Sequence, residues 1–455
     1  MNNDYKTKLL PKEKVFRDPI HGYIHVRHQL ILDLINTKEV QRLRRVKQLG
    51  TTSFTFAGGE HSRFTHSLGV YELTRQICDI FSRDYPISKF EGGWDDSERM
   101  VALCAALLHD VGHGPYSHTF EGIFGTDHEE FTAAIITSPE TEVFQVLQKV
   151  SPDFPEAVAS VISHEYPNPQ VVQMISSQID ADRMDYLLRD SYFTGTEYGK
   201  FDITRIMRVI RPYKDGIAFT DNGMNAVEDY IMSRYQMYMQ VYFHHTSRGM
   251  EMILKHVLHY AAKQYNVERT YFDQTSPLLV PFFTNNYSLE DYLRLDDSTL
   301  NYYISMWQYH DDITLSHLAK RFINRKPLTS VKLNTNMNTD KVVQQLQKHV
   351  TNVGYTADIY TAVSKSYDLP YDVYRPDMES PRTQIELMST TGELFELSTQ
   401  SPIVKALSGE LHGDERFYFP KEMLQYGYNL YEDDFQQFQL LVKSIISHNQ
   451  PNKSK

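Results

Sequence analysis

Cysteine is scarce in this chain of 455 residues: only Cys78 and Cys104 occur, both inside helical patterns, which excludes a disulfide framework. No apolar run is long enough to cross a bilayer. The opening stretch, MNNDYKTKLLPKEK, lacks the apolar core of a secretory signal, so the expected location is the cytoplasm. Positive charge is also short, with 46 Lys and Arg against 58 Asp and Glu and a net charge of −12. That balance argues against a broad nucleic-acid surface. An anionic substrate must then be met by locally gathered Arg, Lys and metal. The chain does have length and apolar content, 41% hydrophobic, enough for one large domain and a smaller one.

The chemistry centres on Leu103 to His118, LCAALLHDVGHGPYSH. Apolar and small residues lead into His109-Asp110, and Gly112 and Gly114 then break the helix. Neighbouring helix positions point roughly 100° apart, so an imidazole and a carboxylate can approach one ion from two sides of a corner. Such a pair alone also fits a capped helix end. His66 in HSRFTHSLGV and Asp182 in IDADRMDYLLRD complete a pattern H…HD…D, which predicts a divalent-metal seat. Arg63 lies one turn before His66 and suits either a phosphate or a local carboxylate. His113, His118, Glu121, His128 and Glu129 follow closely enough to predict a polar pocket, and histidine titrates near neutrality.

Two helices carry the remaining candidates. On the Gln178–Ser191 stretch, Asp182, Tyr186, Asp190 and Arg183 fall at roughly 0°, 40°, 80° and 100°, with Met184 and Leu188 on the opposite, core side. On a helix expected from Ala226 to about Lys263, Arg234, Tyr238, Tyr242 and His245 share one face, a pattern that also suits core packing. Another helix is expected to start at Asn36, with Glu39 as capping-box partner, and to stop at Gly50. Its polar side would carry Gln41, Arg44, Arg45 and Gln48. A further helix past Trp307 would place Arg321 and Arg325 one turn apart. From Pro327 the pattern changes to short alternating runs at Ser330–Leu333, Ala357–Val363, Thr383–Met388 and Glu393–Leu397. The last two are joined by a hairpin signal, Thr390-Thr391-Gly392. The expected organisation is a catalytic core over residues 1–326 and a small α+β lobe over 327–455 with a polar, frayed tail.

FRDPIHGYI, QRLRRVKQLG, HSRFTHSLGV, LLHDVGHGPYSH and DADRMDYLLRDS, in that order from Phe16 to Ser191, resemble the HD-domain deoxynucleoside triphosphate triphosphohydrolases. A weaker likeness runs on to about Arg325. The resemblance implies a mostly α fold with an HD-domain helical core, and hydrolysis of a dNTP to deoxynucleoside and tripolyphosphate. It implies one divalent ion on His66, His109, Asp110 and Asp182, for which mixed nitrogen and oxygen donors suit Mn, Fe or Zn, and Mg less well. His118, Glu121 and His128 would handle protons. Gln48 and Leu49 would lie against substrate, Arg63, Arg183 and Arg234 would neutralise the triphosphate, and Tyr186 and Asp190 would contact the deoxyribose. Tyr242 would pack at the 2′ carbon. Tyr238 and Phe243 depart from the His and Gln of some relatives, leaving base preference open.

The same resemblance implies a homotetramer activated by GTP or dGTP. Effector positions match Lys14, Val15, Gln41, Arg44, Arg211, Arg321 and Arg325. Asn36 stands where activated relatives carry an aspartate that reads the guanine edge. Two rivals stay open: an HD phosphohydrolase acting on a mono- or cyclic phosphate, and a non-catalytic nucleotide binder.

Overall fold

The computed structural model describes residues 3–333, 338–368, 371, 384–408, 412–425 and 431–448. Thr383 and the tail 449–455 lie outside the described residues. The fold is mostly α with small sheets, as expected. Its centre is the Arg99–Leu108 helix, in which every residue from Met100 to Leu108 is buried. A helix apolar all round has to be enclosed by others. Here the enclosing elements include the Arg63–Asp84, Phe154–Ile162 and Pro169–Ile175 helices. A second core forms along the His245–Tyr265 helix, where Met250, Ile253, Leu254 and Val257 meet Phe272, Trp307, Leu315 and Phe322.

Among the described residues, three sheets decorate this body. Strands β1 (Leu9–Asp18) and β2 (Gly22–His28) form an antiparallel hairpin with Val15 opposite His25 and Asp18 opposite Gly22. β3 (Ile210–Tyr213) and β4 (Gly216–Thr220) pair antiparallel. β5 (Leu328–Lys332), β9 (His412–Pro420) and β6 (Ala362–Asp368) form a sheet of order β5-β9-β6. Its Val331, Phe417 and Phe419 pack with Leu346, Val350 and Phe438 from two helices as a separate lobe core. The hairpin expected around Thr390–Gly392 is present as β7 (Glu386–Met388) and β8 (Leu394–Glu396), with Gly392 at φ 85°. It does not join the lobe. β7 adds in parallel to β4, Phe219 facing Leu387, and Ile385, Leu387, Leu397 and Val404 enter the first core.

Several expectations need correcting. Asn36 does not start a helix; it closes the Gln29–Ile35 helix, and Thr37 caps the next one, Lys38–Arg42. Thr37 and Asn36 are both good caps, but the apolar run through Ile35 already belongs to the preceding helix. Glu39 is buried and accepts the Glu142 N–H instead of completing a capping box. The backbone tightens into a 3₁₀ turn at Leu43–Arg45, and Gly50, at φ 49°, opens another at Gly50–Phe54. The long helix from Ala226 is interrupted: Met224–Met237 runs into a π turn at Tyr238–Tyr242, and a new helix begins at His245. The Ala357–Val363 run starts as a helical turn that buries Tyr360 in the second core before β6 begins. Among the described residues no helix is long and apolar enough to cross a membrane.

Candidate active site

The Arg63–Asp84 helix, the end of the Arg99–Leu108 helix and the start of the Ala181–Thr194 helix converge on His66, His109, Asp110 and Asp182. Asp180 fixes the last of these by accepting the Arg183 N–H at 2.6 Å as an N-cap. His66 Nε2 lies 3.0 Å from Asp182 Oδ1, 3.3 Å from His109 Nε2 and 3.7 Å from Asp110 Oδ2. His109 Nε2 lies 3.5 Å from a carboxylate oxygen of both Asp110 and Asp182. Four donors bound at about 2.1 Å sit about 3.0 Å apart at right angles and about 3.4 Å apart in a tetrahedron. The spacings among His66, His109 and Asp182 match, so these three fit one divalent ion, while Asp110 approaches the two imidazoles through different oxygens, one of which also accepts from Arg63. Both imidazoles are oriented for it: His109 Nδ1 donates to the Ala106 carbonyl at 2.9 Å and His66 Nδ1 to Asp185 at 2.8 Å. Burial works against a charged His66, but hydrogen bonds to Asp182 and Asp185 outweigh it and push its pKa up to about 10. Concentrated negative charge of this kind is what a cation would relieve.

Beside the ligands lies a stacked histidine array. His113 Nε2 is 3.2 Å from Asp110 Oδ1, and its ring stacks on His128 at 3.9 Å. Glu121 reaches His118 Nδ1 at 2.9 Å and His128 Nδ1 at 3.0 Å. Burial raises the Glu121 carboxyl, but those two imidazoles hold it well below the usual carboxylate range. Burial and Arg63 push His113 down to about 3. The His118 side chain is 73% exposed, free to meet a substrate. The loop holding this array is tight. Gly112 N–H donates to Thr132 Oγ1, Tyr292 Oη donates to the Gly112 carbonyl, and Arg42 donates to the His113 carbonyl at 2.9 Å. Tyr116 and Ser117 sit at φ 51° and 44°, backbone strain in the wall of a site.

A cavity of about 430 Å³ opens over these groups. Asp110, His113, His118, His128, Asp182, Tyr186, Asp190, Tyr238, Tyr242, Gln48 and Leu49 all line it. Asp182, Tyr186 and Asp190 occupy successive turns of one helix, as their spacing predicts. Tyr242 Oη donates to Asp190 at 2.8 Å, and His61 holds the other Asp190 oxygen at 2.7 Å. Tyr238 and Tyr242 reach the cavity from the π turn; His245, expected on their face, is exposed because the helix restarts there.

The three candidate arginines are placed differently. Arg63 lines the cavity but donates to Asp110 at 2.5 Å and to Ser117 Oγ. Arg183 turns back onto Asp180 at 2.6 Å, and Arg234 is buried under the Tyr238 ring; neither lines the cavity. Of the effector candidates, Lys14 and Val15 are exposed on β1, and Asn36 is exposed at its helix end. Gln41 donates to Ile35 O and accepts from Arg44, whose guanidinium lies 3.7 Å over the Phe64 ring. Arg211 packs over Tyr85. Arg321 and Arg325 do not share an exposed basic face. Arg321 is 1% exposed and paired with Glu422 at 2.8 Å, while Arg325 lies beyond the helix end and donates to Phe54 O.

Sequence reasoning missed Asp185, Arg189, Asp18, His21 and His61. An available signal was the i,i+4 pair Asp185–Arg189, which lies beside Asp182 on the helix but resembles an ordinary surface salt bridge.

Comparison with known proteins agrees with this geometry. Residues 63–190 match the HD domain, and residues 201–425 match an HD-associated region. The chain is 51% identical to uncharacterized protein YwfO of Bacillus subtilis over 420 residues, 92% of this chain and 95% of that one. It is 29% identical over 283 residues to the deoxynucleoside triphosphate triphosphohydrolase SAMHD1 of Gallus gallus, covering 53% of this chain and 44% of that protein. A solved phosphohydrolase structure from Bacteroides thetaiotaomicron aligns with a TM-score of 0.76 at 26% identity, covering 90% of this chain and 99% of that one.

Proposed function

The chain belongs to the HD-domain phosphohydrolase family, carrying the HD-associated region, and from that premise we propose a metal-dependent deoxynucleoside triphosphate triphosphohydrolase acting in the cytoplasm. The observation that carries this reading is one cavity lined by Asp110 and Asp182 of the ion-binding group and by Tyr186, Asp190 and Tyr242 further along. Asp182 and Asp190 mark the two groups along one helix, about 12 Å apart on its axis. The name of the Gallus gallus relative supports the substrate class. A bound Mn, Fe, Zn or Mg ion would polarise the α-phosphate and lower the pKa of a water.

The chain's own residues account for the rest. Water oxygen bonds to the α-phosphorus and releases its proton to solvent, the bond from phosphorus to the 5′-oxygen breaks, and His118 delivers the proton that oxygen needs. Glu121 orients His118 and His128. Arg63 lines the cavity for the phosphates, and Arg183 and Arg234 reach them by leaving Asp180 and the Tyr238 ring. Asp190 accepts the 3′-hydroxyl, and Tyr242 closes the space a 2′-hydroxyl would need. Gln48 Oε1, buried without a hydrogen-bond partner among the described residues, faces the substrate with Leu49. A guanine nucleotide at Lys14, Val15, Asn36, Gln41, Arg44, Arg211 and Arg325 would activate a homotetramer, with 327–455, apart from the β7–β8 hairpin that joins the first core, as the regulatory lobe.

Incubation with each dNTP and Mn²⁺, with and without GTP or dGTP, tests the reading. Tripolyphosphate without dNMP or pyrophosphate is the expected product. One observation favours the monophosphate rival: only Arg63 of the three arginines lines the cavity. Rapid turnover of dAMP with no dNTP turnover would decide for it.

A further inference from the structure

The DPIH segment of the β1–β2 turn plays no part in the reading above, yet it ends against the metal site. Asp185 Oδ2 accepts from His66 Nδ1 at 2.8 Å, and Asp185 Oδ1 accepts from His21 Nε2 at 2.6 Å. Arg189 donates to both oxygens, at 2.8 and 2.9 Å. It also grips Asp18 at 2.7 Å, and Asp18 in turn accepts the Ile20 and His21 N–H groups. The Asp185 and Arg189 side chains are fully buried, and those of Asp18 and His21 nearly so. Gly69 makes room for the cluster: a methyl there would lie 1.9 Å from Asp185 Oδ1 and 2.5 Å from Arg189 Nη2.

We propose that Asp185 is the positioning residue for the metal ligand His66, and that His21, Arg189 and Asp18 lock Asp185 in place. Asp185 accepts the Nδ1 proton, which leaves the Nε2 lone pair aimed at the ion. With four donors on two oxygens it has no freedom to turn. The carboxylate–histidine link adds basicity to the ligand. The turn between β1 and β2 thereby becomes part of the metal site, through the only polar ring in that turn. This inference rests on the metal reading and not on the identity of the substrate.

Titration of the metal-free full-length protein with Co²⁺ tests it, read by the d–d absorption bands and by competition with a chelator. Asp185→Asn should bind Co²⁺ about 10–100-fold more weakly and shift the bands. His21→Ala should weaken binding less, and His21→Gln, whose amide N–H reaches the same oxygen, should restore it. A purely structural cluster would lower the urea midpoint of these variants and leave Co²⁺ affinity and spectrum unchanged, which overturns the proposal. If Asp185→Asn does not fold, the His21 pair decides alone, with equal affinity in His21→Ala and wild type overturning it. Wild type that binds Co²⁺ but releases no tripolyphosphate ends the substrate reading and leaves this one standing. Wild type that binds no Co²⁺ ends both.

Discussion

Replacing Gly112 by alanine should separate the histidine array from the metal without removing the metal. A methyl group at Gly112 would lie 2.3 Å from both the His128 carbonyl oxygen and the Thr132 nitrogen, where ordinary contact starts at 3.4 Å. The deficit, 3.4 minus 2.3, is 1.1 Å, and both atoms are backbone at the start of the His128–Thr137 helix. The HD turn has little freedom to yield, because Tyr292 holds the Gly112 carbonyl at 2.7 Å and Arg42 the next residue's at 2.9 Å. The helix therefore retreats and takes His128 off its stack on His113. The Gly112–Thr132 hydrogen bond, 3.0 Å long, is lost with it. Overpacking of this kind costs about 1–3 kcal/mol, read as a lower urea midpoint. A displacement near 1 Å at a reacting group costs up to about 10²-fold in rate, so kcat for dNTP hydrolysis should fall by that order. Metal content should stay near about one ion per chain, since His109 and Asp110 precede the clash. A wild-type kcat and urea midpoint would refute the reasoning, and loss of the metal together with the rate would show that the HD turn moved instead.

Other expectations are as direct. Asp110→Ala should strip the ion and abolish hydrolysis while leaving the fold; full activity in metal-depleted buffer would contradict the ligand assignment. Tyr242→Ala should raise ATP turnover relative to dATP by about 10–100-fold if that ring excludes the 2′-hydroxyl, and an unchanged ratio would place the sugar elsewhere. His256 is pushed down to about 4 by burial and then by His259 and Lys255, from an ordinary 6.5. The unfolded chain therefore takes the proton first: stability is full above 6.5 and drains as pH falls through 6.5 towards 4, by about 2 kcal/mol at pH 5. Urea unfolding at pH 7 and pH 5 should show that loss shrinking in His256→Gln. Arg44→Ala should weaken activation by GTP or dGTP and sparing of metal content should accompany it; rates that never respond to added nucleotide would remove the effector site.

The grouping of His66, His109, Asp110 and Asp182 was legible because each motif is short and its chemistry is dictated by residue type. His66, His109, Asp110 and Asp182 needed only three segments to meet, and one face of the Ala181–Thr194 helix follows from its period. What stayed hidden depends on long-range burial. Asp185–Arg189 resembles any exposed i,i+4 pair until two other elements cover it. The orientation of Arg183 was lost to its own N-cap, a local competitor that angular bookkeeping ignores. The π turn at Tyr238–Tyr242 has no compositional marker, so the tyrosine face was foreseen but the helix break after it was not. The burial of Arg321 was hidden because its partner, Glu422, lies 101 residues further on.

The parallel pairing of β4 with β7 has a consequence for the order in which the protein assembles during synthesis. Ala218 waits for Glu386, 386 minus 218 or 168 residues later, to complete its sheet. At about 5–20 residues per second the ribosome needs roughly 8–34 s to supply that strand. Throughout that interval the free edge of β4 and the core positions awaiting Ile385, Leu387, Leu397 and Val404 stay uncovered. The nascent chain thus carries an unpaired strand edge, a site for misassociation, well after His66, His109, Asp110 and Asp182 have emerged.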